Sequence, residues 1–315
     1  MIVTLTPNPS LDRTIEIDSL LSGEVHRATS SRVDPGGKGV NVSRVLAAHG
    51  VSTLAVLPAG GAEGAQLGEL LAPSGVPVIT IPLSSPTRSN ITLVEPDGTT
   101  TKINEPGPRL TTAETHAIAD RLAAVARAAT WVVLSGSLPR GVSDLFYAEL
   151  VARLHNLGAK VALDTSGPPL ATAVEARPEL IKPNADELAE LVGRPLTTWG
   201  DVAEQAQRVH DRGVGTVLVS LGADGALLVD DDGVRRAFTP AVDVRSTVGA
   251  GDSTLAGFLA AGAKGSGALR TAVAFGTAAV TLPGSAMPGP ADIRLDLVTV
   301  EEDPDLSHPL KGDAA

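Results

Sequence analysis

Short runs of aliphatic and β-branched residues punctuate the chain at 2–5, 53–57, 131–134, 160–163, 180–182 and 217–220. They are apolar without polar alternation, which predicts strands buried on both faces, as in a parallel sheet. Between them lie stretches with helical spacing that stop at a glycine: 40–49 before Gly50, 143–156 before Gly158 and 202–212 before Gly213. Alternating β and α units predict an α/β fold, a doubly wound, mainly parallel sheet flanked by helices. The rhythm breaks at 14–33 and 89–104, where polar and apolar residues alternate and Pro96-Asp97-Gly98 marks a turn. Here we expect a small inserted antiparallel β lid, formed by residues 13–34 and 87–106, on one main domain spanning 1–300. The exposed face of such a lid also offers a surface to a second subunit.

Composition adds limits. The chain is 43% hydrophobic but only 2% aromatic, so Ala, Val, Leu and Ile must fill the core. A net charge of −11 disfavours nucleic acid and anionic membrane surfaces as partners, and an anionic substrate would need a local basic pocket. Residues 301–315 set Glu301, Glu302, Asp303, Asp305 and Asp313 against Lys311, and are expected to form an acidic, mobile tail. With no cysteine, disulfides, thiolate metal sites and a cysteine nucleophile are excluded. The opening Met1-Ile2-Val3-Thr4-Leu5 lacks the regions of a signal peptide, and no uncharged apolar run reaches membrane-spanning length. The expectation is a soluble, cytoplasmic protein.

The segment Ser246-Thr247-Val248-Gly249-Ala250-Gly251-Asp252-Ser253 leads into a helix-like run. A glycine turn entering a helix presents unpaired N–H groups and the positive helix end to an anion, with Asp252 beside them. The same spacing suits an acid that only complements the helix dipole. In Asp34-Pro35-Gly36-Gly37-Lys38-Gly39-Val40-Asn41, Lys38 and Asn41 offer a cation and an amide near a second glycine turn. Asp12 follows the first strand, where α/β ligands bind, although loop carboxylates more often cap turns. Asn184 and Glu187, three residues apart, form a helix-capping pair by spacing alone.

Taken together, the first and second signatures, around Gly37 and Gly249–Asp252, closely resemble those of the ribokinase-like, or PfkB, carbohydrate kinases, over residues 1 to 295. The resemblance implies that Asp252 is the general base and that Gly249, Ala250 and Gly251 form an anion hole. It implies that Gly37, Asn41 and Asp12 bind the sugar, and that Asn184 and Glu187 organise Mg²⁺ through water. It also assigns Lys182, Ser220, Gly222, Gly225 and Thr247 to ATP binding. The segments Thr87-Arg88-Ser89-Asn90, Lys102-Ile103-Asn104-Glu105-Pro106-Gly107 and Ser135-Gly136-Ser137-Leu138-Pro139 resemble the phosphofructokinase branch, most of all its 1-phosphofructokinases. That likeness implies an ATP-dependent kinase acting on a ketohexose phosphate, fructose 1-phosphate first, with tagatose-6-phosphate kinase and 6-phosphofructokinase as alternatives. The substrate phosphate would meet Arg88 and Lys38, with Arg27 or Lys102 beside them, Ser137 would bind the substrate, and a homodimer joined through the lid is implied as well. A sugar-phosphate sensor without catalysis is the alternative of a different class; the presence of Asp252 in its glycine turn argues against it.

Overall fold

The computed structural model describes residues 1–311. Its first half comprises β1 (Ile2–Leu5), β2 (Ser10–Glu16), β3 (Ser30–Gly36), α1 (Lys38–Ala48), β4 (Thr53–Ala59), α2 (Gly61–Leu71), β5 (Val78–Pro82), β6 (Arg88–Val94), β7 (Thr100–Asn104), α3 (Thr112–Ala126) and β8 (Trp131–Ser135). Its second half comprises α4 (Phe146–His155), β9 (Lys160–Asp164), α5 (Gly167–Val174), β10 (Leu180–Ile181), α6 (Ala185–Val192), α7 (Trp199–Asp211), β11 (Val217–Ser220), β12 (Ala226–Asp230), β13 (Gly233–Phe238), α8 (Ala250–Ala260), α9 (Gly265–Val280) and β14 (Thr299–Glu301).

Ten strands form one sheet in the order β14-β13-β12-β11-β10-β9-β8-β1-β4-β5. From β11 to β5 every pairing is parallel, which accounts for all the apolar runs found in the sequence. Strands β12, β13 and β14 extend the sheet antiparallel. Side chains alternate between two cores, as strand geometry requires. Val132, Leu134, Val161, Leu163, Val217 and Val219 face α3 to α7, whereas Val133, Ala162 and Leu218 face α1, α8 and α9. Helix α8 is apolar nearly all round because it is sandwiched between α1, α9 and the sheet.

A second sheet has the order β3-β2-β6-β7. Its outer pairings are antiparallel, as the sequence pattern predicts, but its central pair, β2 with β6, is parallel. The two hairpins are joined side by side and in the same direction, with the Ser10, Gly36 and Arg88 rung where both leave the large sheet.

Contrary to the expectation of a mobile tail, the acidic C-terminal segment is docked as far as Lys311. Strand β14 pairs with β13, and residues 306 to 310 hydrogen-bond to the start of α7. Backbone groups make these bonds, so the charge pattern did not reveal them; Asp313 lies outside the described residues. Among the described residues no helix is long and apolar enough to cross a membrane.

Candidate active site

The carboxyl ends of β1, β8 and β9 open onto one cleft. Thr6 Oγ1, Asn8 Oδ1 and Ser135 Oγ are buried there with no hydrogen-bond partner among the described residues. Orphaned buried polar atoms are rare and costly, so their gathering at one sheet edge marks a surface that pairs with a ligand.

Asp252 sits in the first turn of α8 and is only 7% exposed. Its Oδ2 accepts a 2.8 Å hydrogen bond from Asn41 Nδ2 on α1. Burial, reinforced by the neighbouring charge of Asp164, raises its pKa to about 6, even though Lys38, Asn41 and Lys182 favour the ionised form. Gly249 begins this turn with φ of 76°, a left-handed conformation that a side chain would strain. The Gly251 and Asp252 N–H groups, free at the helix start, accompany Lys182, whose Nζ lies 3.1 Å from where a Cβ on Gly251 would sit. Ala250 N–H makes a long 3.4 Å bond to the Thr247 carbonyl, which closes the turn.

Asp164 stands at the centre of the charged network, 0% exposed at the end of β9. Lys38 Nζ reaches its Oδ1 at 2.9 Å, and Lys182 Nζ lies 3.3 Å from its Oδ2. Burial would raise the Asp164 pKa, but the two ammonium groups outweigh it and hold the carboxyl below the usual range. Burial likewise opposes the charge on Lys38, yet Asp164, Glu187 and Asp252 together raise its pKa. Lys38 Nζ also lies 3.6 Å from Glu187 Oε1.

Asn184 and Glu187 form the capping box that their spacing predicts: Glu187 N–H donates to Asn184 Oδ1 at 2.7 Å and Asn184 N–H to Glu187 Oε2 at 2.9 Å. The remaining oxygen of Glu187 is the one turned to Lys38, so capping and site chemistry use different atoms of one side chain. Ser220 bridges to Asn184, and its N–H donates to the Pro183 carbonyl at 3.0 Å. The Gly222–Asp224 turn, followed by Gly225, thereby begins beside the start of α6.

The second wall is the small sheet. Strand period puts Ser10 and Asp12 of β2 on one face with their cross-strand partners Gly36, Asp34, Arg88 and Asn90. Asp12 Oδ1 accepts hydrogen bonds from Ser10 Oγ at 2.7 Å and Asn90 Nδ2 at 2.9 Å, which fixes the carboxylate and leaves Oδ2 available. Any side chain at Gly36 would run into this carboxylate. Arg88 donates to the Asn8 carbonyl from Nε and Nη2, at 3.2 and 3.0 Å, and to the Glu105 carbonyl from Nη1 at 3.0 Å. Three of its five N–H groups are engaged, and burial lowers its pKa against the pull of Asp12 and Glu105. Asn8 Nδ2 donates to the Pro106 carbonyl at 3.3 Å and to Ser137 Oγ at 3.4 Å, drawing Ser137 to the same wall.

Other basic candidates stand further off. Lys102, on β7, pairs with Thr92 of β6, two rungs beyond Asn90 and on the same face, and is exposed. Arg27 lies in the connection between β2 and β3, beyond Glu16, roughly 20 Å along the hairpin from Ser10 by strand rise. It lies past the last paired rung of β2 and β3, where Thr29 N–H donates to the Glu16 carbonyl at 2.9 Å. Sequence reading missed Asp164, Asn8, Asn90 and Arg44; the last hydrogen-bonds weakly to Asn41 Oδ1 at 3.5 Å. The one available signal was position: Asp164 directly ends an apolar strand at the edge where α/β ligands bind.

Residues 6–291 match the model of the pfkB family of carbohydrate kinases. The chain is 40% identical over 297 residues to 1-phosphofructokinase of Rhodobacter capsulatus, covering 92% of this chain and 93% of that protein. It is 37% identical over 290 residues to ATP-dependent 6-phosphofructokinase isozyme 2 of Escherichia coli, covering 90% and 94%. The crystal structure of phosphofructokinase-2 from Escherichia coli in complex with substrates and products superposes with a TM-score of 0.88 at 36% identity, over 92% of this chain and 96% of the other. The chain therefore belongs to the pfkB family of carbohydrate kinases. Its class of activity follows with the family: an ATP-dependent kinase that phosphorylates an alcohol group of a sugar.

Proposed function

We propose that this kinase converts fructose 1-phosphate to fructose 1,6-bisphosphate, with Asp252 as the general base. The buried Asp252 carboxylate, held by Asn41 at the free N–H groups of α8, carries the mechanistic reading. The 1-phosphofructokinases among its relatives support the acceptor. Asp12 and Asn41 orient the sugar, and Arg88 and Lys38 meet its phosphate. The acceptor oxygen attacks the γ-phosphorus of ATP in line. Its bond to phosphorus forms as the bond from phosphorus to the β–γ bridging oxygen breaks, and the hydroxyl proton passes to Asp252. Lys182 and the free N–H groups that follow the Gly249 turn, those of Gly251 and Asp252, offset the charge on the transferring group. Thr247, Ser220, Gly222 and Gly225 line the nucleotide. With a pKa of about 6, Asp252 is ionised at neutral pH yet basic enough to take the proton.

The oxygen donors here suit Mg²⁺. Asp164 is buried with its carboxylate flanked by Lys38 and Lys182, and Glu187 Oε1 lies outside the capping box. Such a set fits an ion held mainly by nucleotide phosphates and water, with Glu187, Asn184 and Asp164 around it, where it would neutralise phosphate charge. On the same reading the small sheet is a lid over the acceptor. Its exposed Leu21, Val25 and Ile103 would join two copies, and the protein would work in the cytoplasm.

The test is release of ADP with fructose 1-phosphate, fructose 6-phosphate, tagatose 6-phosphate and free fructose, compared by kcat/KM. We expect at least a hundredfold preference for fructose 1-phosphate, about 2.7 kcal/mol of transition-state discrimination. Preference for fructose 6-phosphate would assign the 6-phosphofructokinase activity instead, and turnover of none would favour a sugar-phosphate sensor. Arg88→Ala should raise the KM for the sugar phosphate about 30-fold or more, the scale of a charged hydrogen bond, with the KM for ATP within about threefold. Equal rises in both would remove Arg88 from the phosphate clamp.

A further inference from the structure

The turn after β11 carries a carboxylate that the mechanism leaves unused. Asp224 is 4% exposed. The turn closes on its own backbone, with Asp224 N–H donating to the Leu221 carbonyl at 2.9 Å and Leu221 N–H to the Gly225 carbonyl at 2.8 Å. What the carboxylate meets is the C-terminal segment. Lys311 N–H donates to Asp224 Oδ2 at 2.7 Å, and Lys311 Nζ lies 3.7 Å from Oδ1.

That segment is itself anchored. The Leu306 carbonyl accepts from Gly200 N–H at 2.9 Å, the His308 carbonyl from Trp199 N–H at 3.0 Å, and Leu310 N–H donates to the Thr197 carbonyl at 2.9 Å. Pro309 bridges to Thr198, and Leu306 and Leu310 pack against the large core. The start of α7 is in turn rigid, because Thr198 and Asp201 form a capping box and Trp199 is buried. A chain segment clipped to a capped helix and ending on a buried carboxylate is a fixed support.

We propose that residues 306–311 are a strap that holds the nucleotide turn in place through Asp224, which makes Asp224 a positioning residue for ATP. This rests on the proposed assignment of Ser220, Gly222 and Gly225 to the nucleotide. The turn has two attachments: Ser220, to Pro183 and Asn184, and Asp224, to the strap. Losing the second lets the turn shift relative to α6 without touching Asp252 or the small sheet. The cost therefore falls on nucleotide binding, not on chemistry or the acceptor.

The experiment is steady-state kinetics of the full chain with ATP varied at saturating fructose 1-phosphate, and the reverse. Asp224→Ala removes the acceptor, and Lys311→Pro removes the donating N–H while leaving Asp224 intact. Both should raise the KM for ATP about tenfold, the scale of a charge-assisted hydrogen bond, with kcat and the acceptor KM within twofold. Asp224→Asn, which keeps an acceptor oxygen, and Lys311→Ala, which keeps the N–H, should stay within threefold of wild type. If Asp224→Ala fails to fold, Lys311→Pro decides alone. Ala223→Glu, on the exposed side of the same turn, separates the two layers of inference. If it raises the KM for ATP while the strap variants do not, the strap is refuted and the nucleotide assignment stands. Should none of them move that KM, both fall. General losses in kcat and both KM values from Lys311→Pro would also overturn the proposal, as they indicate a merely structural contact.

Discussion

Asp252→Asn is expected to fold, to keep both KM values within a fewfold and to lose about three orders of magnitude in kcat, within the range of general-base catalysis. Its stability should rise at the same time. The carboxyl titrates at the ordinary 3.8 in the unfolded chain and at about 6 in the folded one, because it is buried and lies near Asp164. Above pH 6 it is charged in both states, and only the folded state bears the cost of burying that charge. Removing the charge should therefore add up to about 3 kcal/mol at pH 8. Between pH 6 and pH 4 the folded carboxyl takes up its proton, so the gain should fade. Urea denaturation at pH 8 and pH 4.5, beside the ADP assay, measures both effects. Turnover close to wild type would remove Asp252 as the base, and a stability gain equal at both pH values would show that charge is not its cause.

Asp164→Asn, at the neighbouring buried carboxylate, should do the opposite to stability. It leaves Lys182, 4% exposed, and Lys38 without their shared counter-charge, and breaking such a buried pair costs about 3–5 kcal/mol. The kinetic signature is a shift. In the wild type the acid limb of kcat/KM should fall near pH 6, the Asp252 value. Without Asp164 the nearest negative charge is gone and two ammonium groups are left for Asp252, so both changes lower its pKa. The limb should move at least one pH unit down, and kcat at pH 7.5 should fall at least about tenfold as the base weakens and the lysines lose their anchor. An acid limb still near pH 6 would show that Asp164 does not set the proton affinity of Asp252.

The large sheet was legible because a strand buried on both faces announces itself locally, and each expected run became a parallel strand. The direction of the β2–β6 pair was not, since turn chemistry joins neighbours in sequence and says nothing of how one hairpin meets another. Asp252 stood out through the glycine turn before it. Asp164 did not, because a single aspartate after a strand looks like any turn residue until Lys38 arrives from 126 positions away. The docked C-terminal segment was hidden for a related reason: an acidic stretch reads as solvated, whereas its anchoring uses backbone groups, Leu306 and Leu310.

On the proposed assignment of roles, the cleft is assembled from two sheets with separate tasks. Asp12, Arg88 and Asn90 stand on the small one, while Asp164, Lys182 and the start of α8 belong to the large one; α1, with Lys38 and Asn41, touches both sides. Inheritance can act on these parts independently. Substitutions confined to four short strands can retune which sugar is held without disturbing the apparatus that moves the phosphoryl group. That separation offers a route by which relatives of similar identity, bearing the names of a 1-phosphofructokinase and a 6-phosphofructokinase, diverge in acceptor on one scaffold. A lineage built this way can change its diet without having to reinvent its catalysis.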